Sequence, residues 1–340
     1  MFKRLSYLFS AILILFIFLS AELVLEVRHY LKGYETLLLP SPSATSLKED
    51  SAAGDADFPF RSQYIEPGEL RSEKVLWIAS ASHAEHSRFR LDQLFPNQIC
   101  KFSKQDTCFV INGSKAGYSI EDNLTLLDAH SARYLPSYIL LYQMSQEIEK
   151  SQRLSSTFAS QQEKESNSLI DFKPLKELFQ QSSIYGHLNE FVTGAVRLEG
   201  HLNDHLPSQE FKRFEQEIIS FIRWAREREI TPVLSTFAAA YNSENAEQLP
   251  YKTQLQFVRY NSYLTPGAWI STIDSWNKML KDIAHQEGIN VIDVAAHVGG
   301  KPEFFVDFVH FNEQGHAKVA EVIAVEMDKV WSDHEVDHGL

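Results

Sequence analysis

Five short, continuous apolar runs punctuate the chain: residues 75–80 (VLWIAS), 107–112 (TCFVIN), 138–142 (YILLY), 232–236 (PVLST) and 289–294 (INVIDV). Runs of this length suit parallel strands that are covered on both faces. Helical patterns lie between several of them. One starts at Ser119 with a Ser119-to-Asp122 capping pattern. A second carries Phe211, Phe214, Ile218, Phe221, Ile222 and Ala225 on one face. A third carries Ile273, Trp276, Leu280 and Ile283 and ends at Gly288. Strands alternating with helices predict a three-layer α/β/α fold around a five-stranded parallel sheet, with any ligand expected outside the carboxyl ends of the strands.

Three stretches fall outside this alternation. Residues 5–21 contain no charged residue, Lys3 and Arg4 precede them and Glu22 closes them. The run is near the lower length limit for a membrane-spanning helix and exceeds the apolar core of a cleaved signal. Cleavage after Ala21 would place Leu19 at the minus-three position, where a small residue is usual. The expectation is therefore an uncleaved transmembrane anchor over residues 1–27, with the N-terminus cytoplasmic and the domain outside, although Arg28 and Lys32 on the far side weaken the charge bias. Residues 37–58 are rich in Ser, Pro, Ala and Asp, and the stretch 28–72 reads as a tether. The third stretch connects the third and fourth strands. It runs over about 147–230, far longer than a minimal crossover, and reads as a helical insertion in a domain spanning 73–335.

Composition narrows the function classes. The 340 residues are 44% hydrophobic, enough for a full core, and the formal net charge is −13. No basic run lies outside the extreme N-terminus, so nucleic acid is not an expected partner. Only two cysteines occur, Cys100 and Cys108, which excludes thiolate zinc clusters and a disulfide scaffold. Either a single bridge outside the cytosol or two unpaired thiols, with Cys108 buried in a strand, fits the sequence.

Candidate chemistry sits where the strands end. Asp307 and His310 precede a helical pattern that Asn312 can cap, and a carboxylate three residues before an imidazole can fix the tautomer of the ring. Ser82 follows the first strand at the turn into a helix, a location that exposes a hydroxyl and points its backbone N–H at an anion. Gly117 follows the second strand, where glycine permits close backbone approach, and Gln146 follows the third. Taken singly, each also reads as a cap, a turn residue or a surface amide.

Taken together, these blocks resemble those of the SGNH hydrolases, the GDSL-like esterase family, over about residues 75–327. VLWIASAS resembles the first block with Ser82 at the nucleophile position, and VINGSKAGYS the second with Gly117 at the donor glycine. LLYQMSQEI resembles the third and DFVHFNEQGH the last, giving Asp307 and His310. Two positions depart from the family pattern: Ser80-Ala81 stands where Gly-Asp is usual, and Met144-Ser145-Gln146-Glu147 stands for Gly-x-Asn-Asp. The resemblance implies a flavodoxin-like fold and a cofactor-free serine acyl hydrolase or O-acyltransferase acting on a small ester or an acylated, by analogy acetylated, envelope carbohydrate. It further implies a Ser82–His310–Asp307 triad and an oxyanion hole from Ser82, Gly117 and Gln146. The departures motivate a second reading, a non-catalytic descendant that binds glycan or an assembly partner. A third, a metal hydrolase on His83, His86, Asp307 and His310, has weaker spacing; the plainer view of His83 and His86 is as exposed or capping residues beside the serine.

Overall fold

A computed structural model of the protein describes residues 60–62, 74–105, 107–160, 198, 202–261 and 263–338, with single helical positions at 16, 20, 23, 24 and 27. Five parallel strands, β1 (Val75–Ala79), β2 (Phe109–Asn112), β3 (Tyr138–Leu141), β4 (Thr231–Ser235) and β5 (Asn290–Ile292), form one sheet in the order β2-β1-β3-β4-β5. This is the flavodoxin-like doubly wound order, whose switch point lies between the first and third strands. β1 is in the middle of the sheet, with Leu76 beside Val110 on one side and Tyr138 on the other, and all five of its side chains are fully buried. That burial explains why it reads as an unbroken apolar run.

The helices form two packed groups. α2 (Ile120–Tyr134), α4 (Ser208–Arg226) and α6 (Pro266–Glu287) pack side by side, and α1 (Phe95–Phe102) packs on the C-terminal helix α8 (Glu313–His338). Helices α3 (Ser145–Ser160), α5 (Tyr251–Tyr260) and α7 (Val294–Val298) complete the described α-helices. Ser119 caps α2 as its sequence pattern predicts: its Oγ accepts from the Asp122 N–H at 3.2 Å while Asp122 Oδ2 accepts from the Ser119 N–H at 2.9 Å. In α6, Thr265 caps the start and Gly288, at φ 62°, ends the helix in the left-handed region.

Parts of the predicted insertion and of the predicted tether pack on the rest of the domain. α4 lies within the predicted insertion at 147–230, yet its apolar face is core: Phe214 stacks on Trp276 of α6 with ring centroids 4.0 Å apart, and Ile218, Phe221 and Ile222 are buried. α3 is tied to it by Arg213, which donates to Glu147 Oε2 at 3.2 Å, Glu210 Oε2 at 2.9 Å and Ser151 Oγ at 2.6 Å. Both helices therefore belong to the frame of the domain; residues 161–197 of the predicted insertion lie outside the described residues. Residues 60–62, within the predicted tether, are docked on the domain. Phe60 is buried edge-on against Trp77 at 5.1 Å, and the Ser62 Oγ accepts from the Asn112 N–H at 3.2 Å.

Apart from Phe16 and Ser20, the predicted anchor at 5–21 lies outside the described residues, as do residues 37–58 of the tether. Among the described residues no helix is long and apolar enough to cross a membrane. Cys100 and Cys108 are joined by a disulfide with Cα atoms 5.5 Å apart, which replaces the alternative of two unpaired thiols. Cys108 is partly buried and stands just before β2.

Candidate active site

The chain leaves β1 through Ser80, whose Oγ donates to the Tyr142 carbonyl at 2.6 Å and so ties the end of β1 to the end of β3. A tight turn follows, in which the Ala84 and Glu85 N–H groups both donate to the Ala81 carbonyl. Ser82 is lifted onto this turn, beyond the sheet. Its Oγ lies 2.9 Å from His310 Nε2, across 228 residues of sequence.

Local geometry accounts for the three-residue spacing of Asp307 and His310. Asp307 Oδ1 accepts from the backbone N–H groups of Val309 at 2.9 Å and His310 at 2.8 Å, and this turn swings the imidazole back so that Nδ1 lies 2.8 Å from Oδ2 of the same carboxylate. Burial raises the pKa of Asp307, but the hydrogen bonds and the His310 ring outweigh it and hold the carboxyl down at about 2. The loop is closed below by Asn312, whose Oδ1 caps α8 by accepting from the Gly315 N–H at 2.9 Å. Gly315 permits the close approach: a Cβ there would lie 2.1 Å from the Phe304 carbonyl oxygen.

Ser82, His310, Asp307 and Gln146 share the wall of one cavity of about 360 Å³, with Trp269 and Phe308 among its apolar lining. Gly117 stands beside this wall. The lining residue of the β2 turn is Ala116, whose N–H donates to the Glu85 carboxylate, whereas Gly117 is exposed at φ 81° with nothing within 4 Å of a would-be Cβ. The structure thus demands glycine there for its left-handed backbone. Gln143, at the end of β3, braces the same turn by donating to the Tyr118 carbonyl at 2.6 Å.

His83 and His86 are not the exposed or capping residues that the sequence suggested. Both are buried, and both face His310, with ring centroids 5.3 Å and 5.1 Å away. His316, from the first turns of α8, extends the group. It lies 6.0 Å from His86, and its Nδ1 accepts the Phe95 N–H at 3.3 Å. Desolvation, with the neighbouring His310 adding to it, pushes His83 well below the ordinary imidazole value and His86 to about 4; desolvation and His86 push His316 to about 3. Three imidazoles around His310 are therefore neutral at physiological pH. The rings are stacked or tilted against one another, and among the described residues no group of three or more His, Cys, Asp or Glu is placed to hold a metal ion. The metal arrangement on His83, His86, Asp307 and His310 is accordingly not formed.

The sequence reading passed over Ser145, which lines the cavity one residue before Gln146, as well as His316 and the buried state of His83. A serine opening a helix and a histidine four residues into α8 carry no pattern of their own. Only the packing of α3 and α8 around the end of β1 gathers them.

No family model and no curated protein matches the sequence. Solved structures do match. The fold is similar to that of a GDSL-like lipase from Bacteroides thetaiotaomicron, at 10% identity over 86% of this chain and 98% of that chain, with a TM-score of 0.42. It is also similar to a lipase/acylhydrolase from Enterococcus faecalis, at 13% identity over 76% and 97% of the two chains and a TM-score of 0.42. A third similar structure is a catalytic mutant of an acetylxylan esterase from Geobacillus stearothermophilus, at 12% identity over 75% and 94% and a TM-score of 0.44. At identities this low the chemistry has to be argued from the residues themselves.

Proposed function

We propose that the protein is a serine acyl hydrolase or O-acyltransferase. The observation that carries this reading is the continuous line from Ser82 Oγ to His310 Nε2 at 2.9 Å and from His310 Nδ1 to Asp307 Oδ2 at 2.8 Å, open to a cavity. In the proposed reaction His310 takes the Ser82 proton as Oγ attacks an ester carbonyl. Asp307 keeps the Nδ1 proton in place and balances the imidazolium. The tetrahedral oxyanion is held in this proposal by the Ser82 N–H and the Gln146 amide at the cavity wall, with Gly117, which stands beside that wall, as the third proposed donor. His310 then returns its proton to the departing alkoxide, leaving an acyl-enzyme. Water or a carbohydrate hydroxyl, deprotonated by the same imidazole, attacks the acyl-enzyme and restores Ser82.

The proposed substrate class is a small ester or an acylated, chiefly acetylated, envelope carbohydrate, with the domain tethered outside the cytoplasmic membrane by the apolar N-terminal run and the N-terminus cytoplasmic. The Cys100–Cys108 disulfide supports the placement, because such bonds persist in oxidising compartments. The departures at Ser80-Ala81 and at 144–147 motivate the competing reading of a glycan-binding protein without turnover.

A fluorophosphonate probe together with acetyl ester hydrolysis tests the proposal. The wild-type chain is expected to be labelled at Ser82 and to hydrolyse acetyl esters, and Ser82→Ala to lose both; added oligosaccharide that takes up the acetyl group identifies a transferase. Turnover in Ser82→Ala equal to wild type excludes this nucleophile, and a wild type that binds glycan with neither labelling nor turnover establishes the competing reading.

A further inference from the structure

The buried His83 ring has no place in the mechanism above, yet it sits between the nucleophile and α3. Its Nε2 lies 3.2 Å from Ser145 Oγ. The ring is held from three sides: edge to face against Phe237 at 4.8 Å and Tyr142 at 6.2 Å, and stacked at 15° on His310 at 5.3 Å. Packing of this kind prevents a ring flip, so the nitrogen that faces Ser145 is fixed.

The tautomer follows from the other nitrogen. His83 Nδ1 is buried and has no hydrogen-bond partner. A buried, unpaired N–H forfeits a full donor, and orphaned buried N–H groups are rarer than under-used acceptors. The neutral ring therefore places its single proton on Nε2 and leaves Nδ1 as the bare acceptor. Nε2–H then donates to Ser145 Oγ, and the Ser145 hydroxyl must direct its own hydrogen elsewhere. Ser145 lines the same cavity as Ser82 and His310, so that hydrogen is available to a group bound there.

We propose that Ser145 is a further catalytic residue: its hydroxyl, oriented by His83, donates to the oxyanion that forms when Ser82 attacks. The proposal deepens the acyl-transfer reading and rests on it for its kinetic arm. It supplies a short, buttressed donor beside the longer Gln146 amide, whose extra methylene leaves it less constrained. His83, which reaches the substrate only through Ser145, is a positioning residue.

The test uses the full chain and has two arms. In the kinetic arm, Ser145→Ala is expected to lower kcat for acetyl ester hydrolysis by about 10² to 10³, the usual effect of removing one oxyanion donor, with KM changed by less than about threefold. Ser145→Thr, which keeps the hydroxyl, is expected to recover most of the loss. A loss of less than about tenfold in Ser145→Ala overturns the proposal, and so does a Ser145→Thr variant that keeps the wild-type melting temperature yet is no better than alanine. A residue that only starts α3 would change the melting temperature and leave kcat intact. The second arm needs no turnover. In ¹⁵N spectra at pH 7 to 8 His83 is expected to be neutral with its proton on Nε2, and Ser145→Ala to shift that resonance. A proton on Nδ1 overturns the arrangement even if the protein proves to have no esterase activity. Wild-type chain that fails to label at Ser82 while His83 shows the Nε2–H tautomer refutes the acyl-transfer reading and, with it, a catalytic role for Ser145.

Discussion

Arg61 Nη1 donates to the backbone carbonyl of His86 at 2.7 Å, and the same guanidinium reaches the carbonyls of Glu85 at 3.2 Å and Phe89 at 2.5 Å. The loop after Ser82 has little regular structure; its His86 carbonyl also accepts from the Phe89 N–H at 3.2 Å, and a cation arriving from the segment ahead of the domain supplies the further partners. The Arg61 carbonyl is fixed in return by Asn97 and Asn112, both at 3.2 Å, and Asn112 also holds the Ala84 carbonyl at 2.8 Å. Residues 60–62 are thereby stitched to β2 and to the loop that forms one wall of the cavity. Arg61→Ala is expected to lower stability by about 2 to 3 kcal/mol and to speed amide exchange in residues 82–90. Arg61→Lys should recover less than half, because an ammonium cannot serve three diverging carbonyls. Denaturant melts with peptide-resolved exchange check this; exchange confined to residues 60–62 would show that the loop holds itself.

Asp307 offers its two oxygens to different tasks, Oδ1 to the turn and Oδ2 to the ring. Asp307→Asn keeps the turn acceptor and presents an amide N–H₂ to Nδ1, which favours the tautomer that cannot accept the Ser82 proton. Expected is a fall in kcat of about 10³ to 10⁴ with the fold intact. Steady-state kinetics and a melting curve measure it, and a fall below tenfold would remove Asp307 from the mechanism.

The buried imidazoles make stability depend on pH. His83, His86 and His316 have folded-state pKa values below the unfolded value of 6.5, so the unfolded chain binds more protons in mildly acid solution. The stability they carry is complete above pH 6.5 and declines as pH falls toward 4 and 3. Asp307, depressed to about 2, adds a loss that starts only below its unfolded value near 3.8. A shift from 6.5 to about 4 corresponds to on the order of 3 kcal/mol for His86 alone. Burial, with Glu217 beside it, raises Glu147 to about 7, so this carboxyl takes up a proton in the folded state over the same interval and offsets part of the loss. Three rings against one carboxyl leave a net drop in melting temperature between pH 7 and pH 5, steeper in Glu147→Gln. A flat profile across that interval would show that these rings are charged, or solvated, in the folded state.

The Cys100–Cys108 bond closes a short loop between the end of α1 and the start of β2. In the chain-entropy picture a loop of this size is worth about 2 to 3 kcal/mol. Replacing both cysteines with serine should lower stability by that amount and leave turnover at 20 °C unchanged, since neither cysteine lines the cavity. Denaturant titration of both forms, with and without reductant, gives the comparison.

The amino-acid order by itself determined the five strands and the helices at 119, 211 and 273, because elements covered on both faces, or on one broad face, must carry their apolar residues at fixed spacing. It also determined the Asp307–His310 pair, a turn too local to need the rest of the chain. Tertiary packing decided what lies between. Ser82 meets His310 only because the ends of β1 and the loop before α8 converge on one rim. The HAEH stretch looked solvated, but α1, α3 and α8 close over it and leave its rings desolvated and neutral. Arg61 sits in a composition that suits a tether, and its contacts with the carbonyls of the Ser82 loop, together with Asn97 and Asn112 on its own carbonyl, make it part of the domain. Periodicity reports how an element is covered; it does not report which distant polar groups the cover brings together.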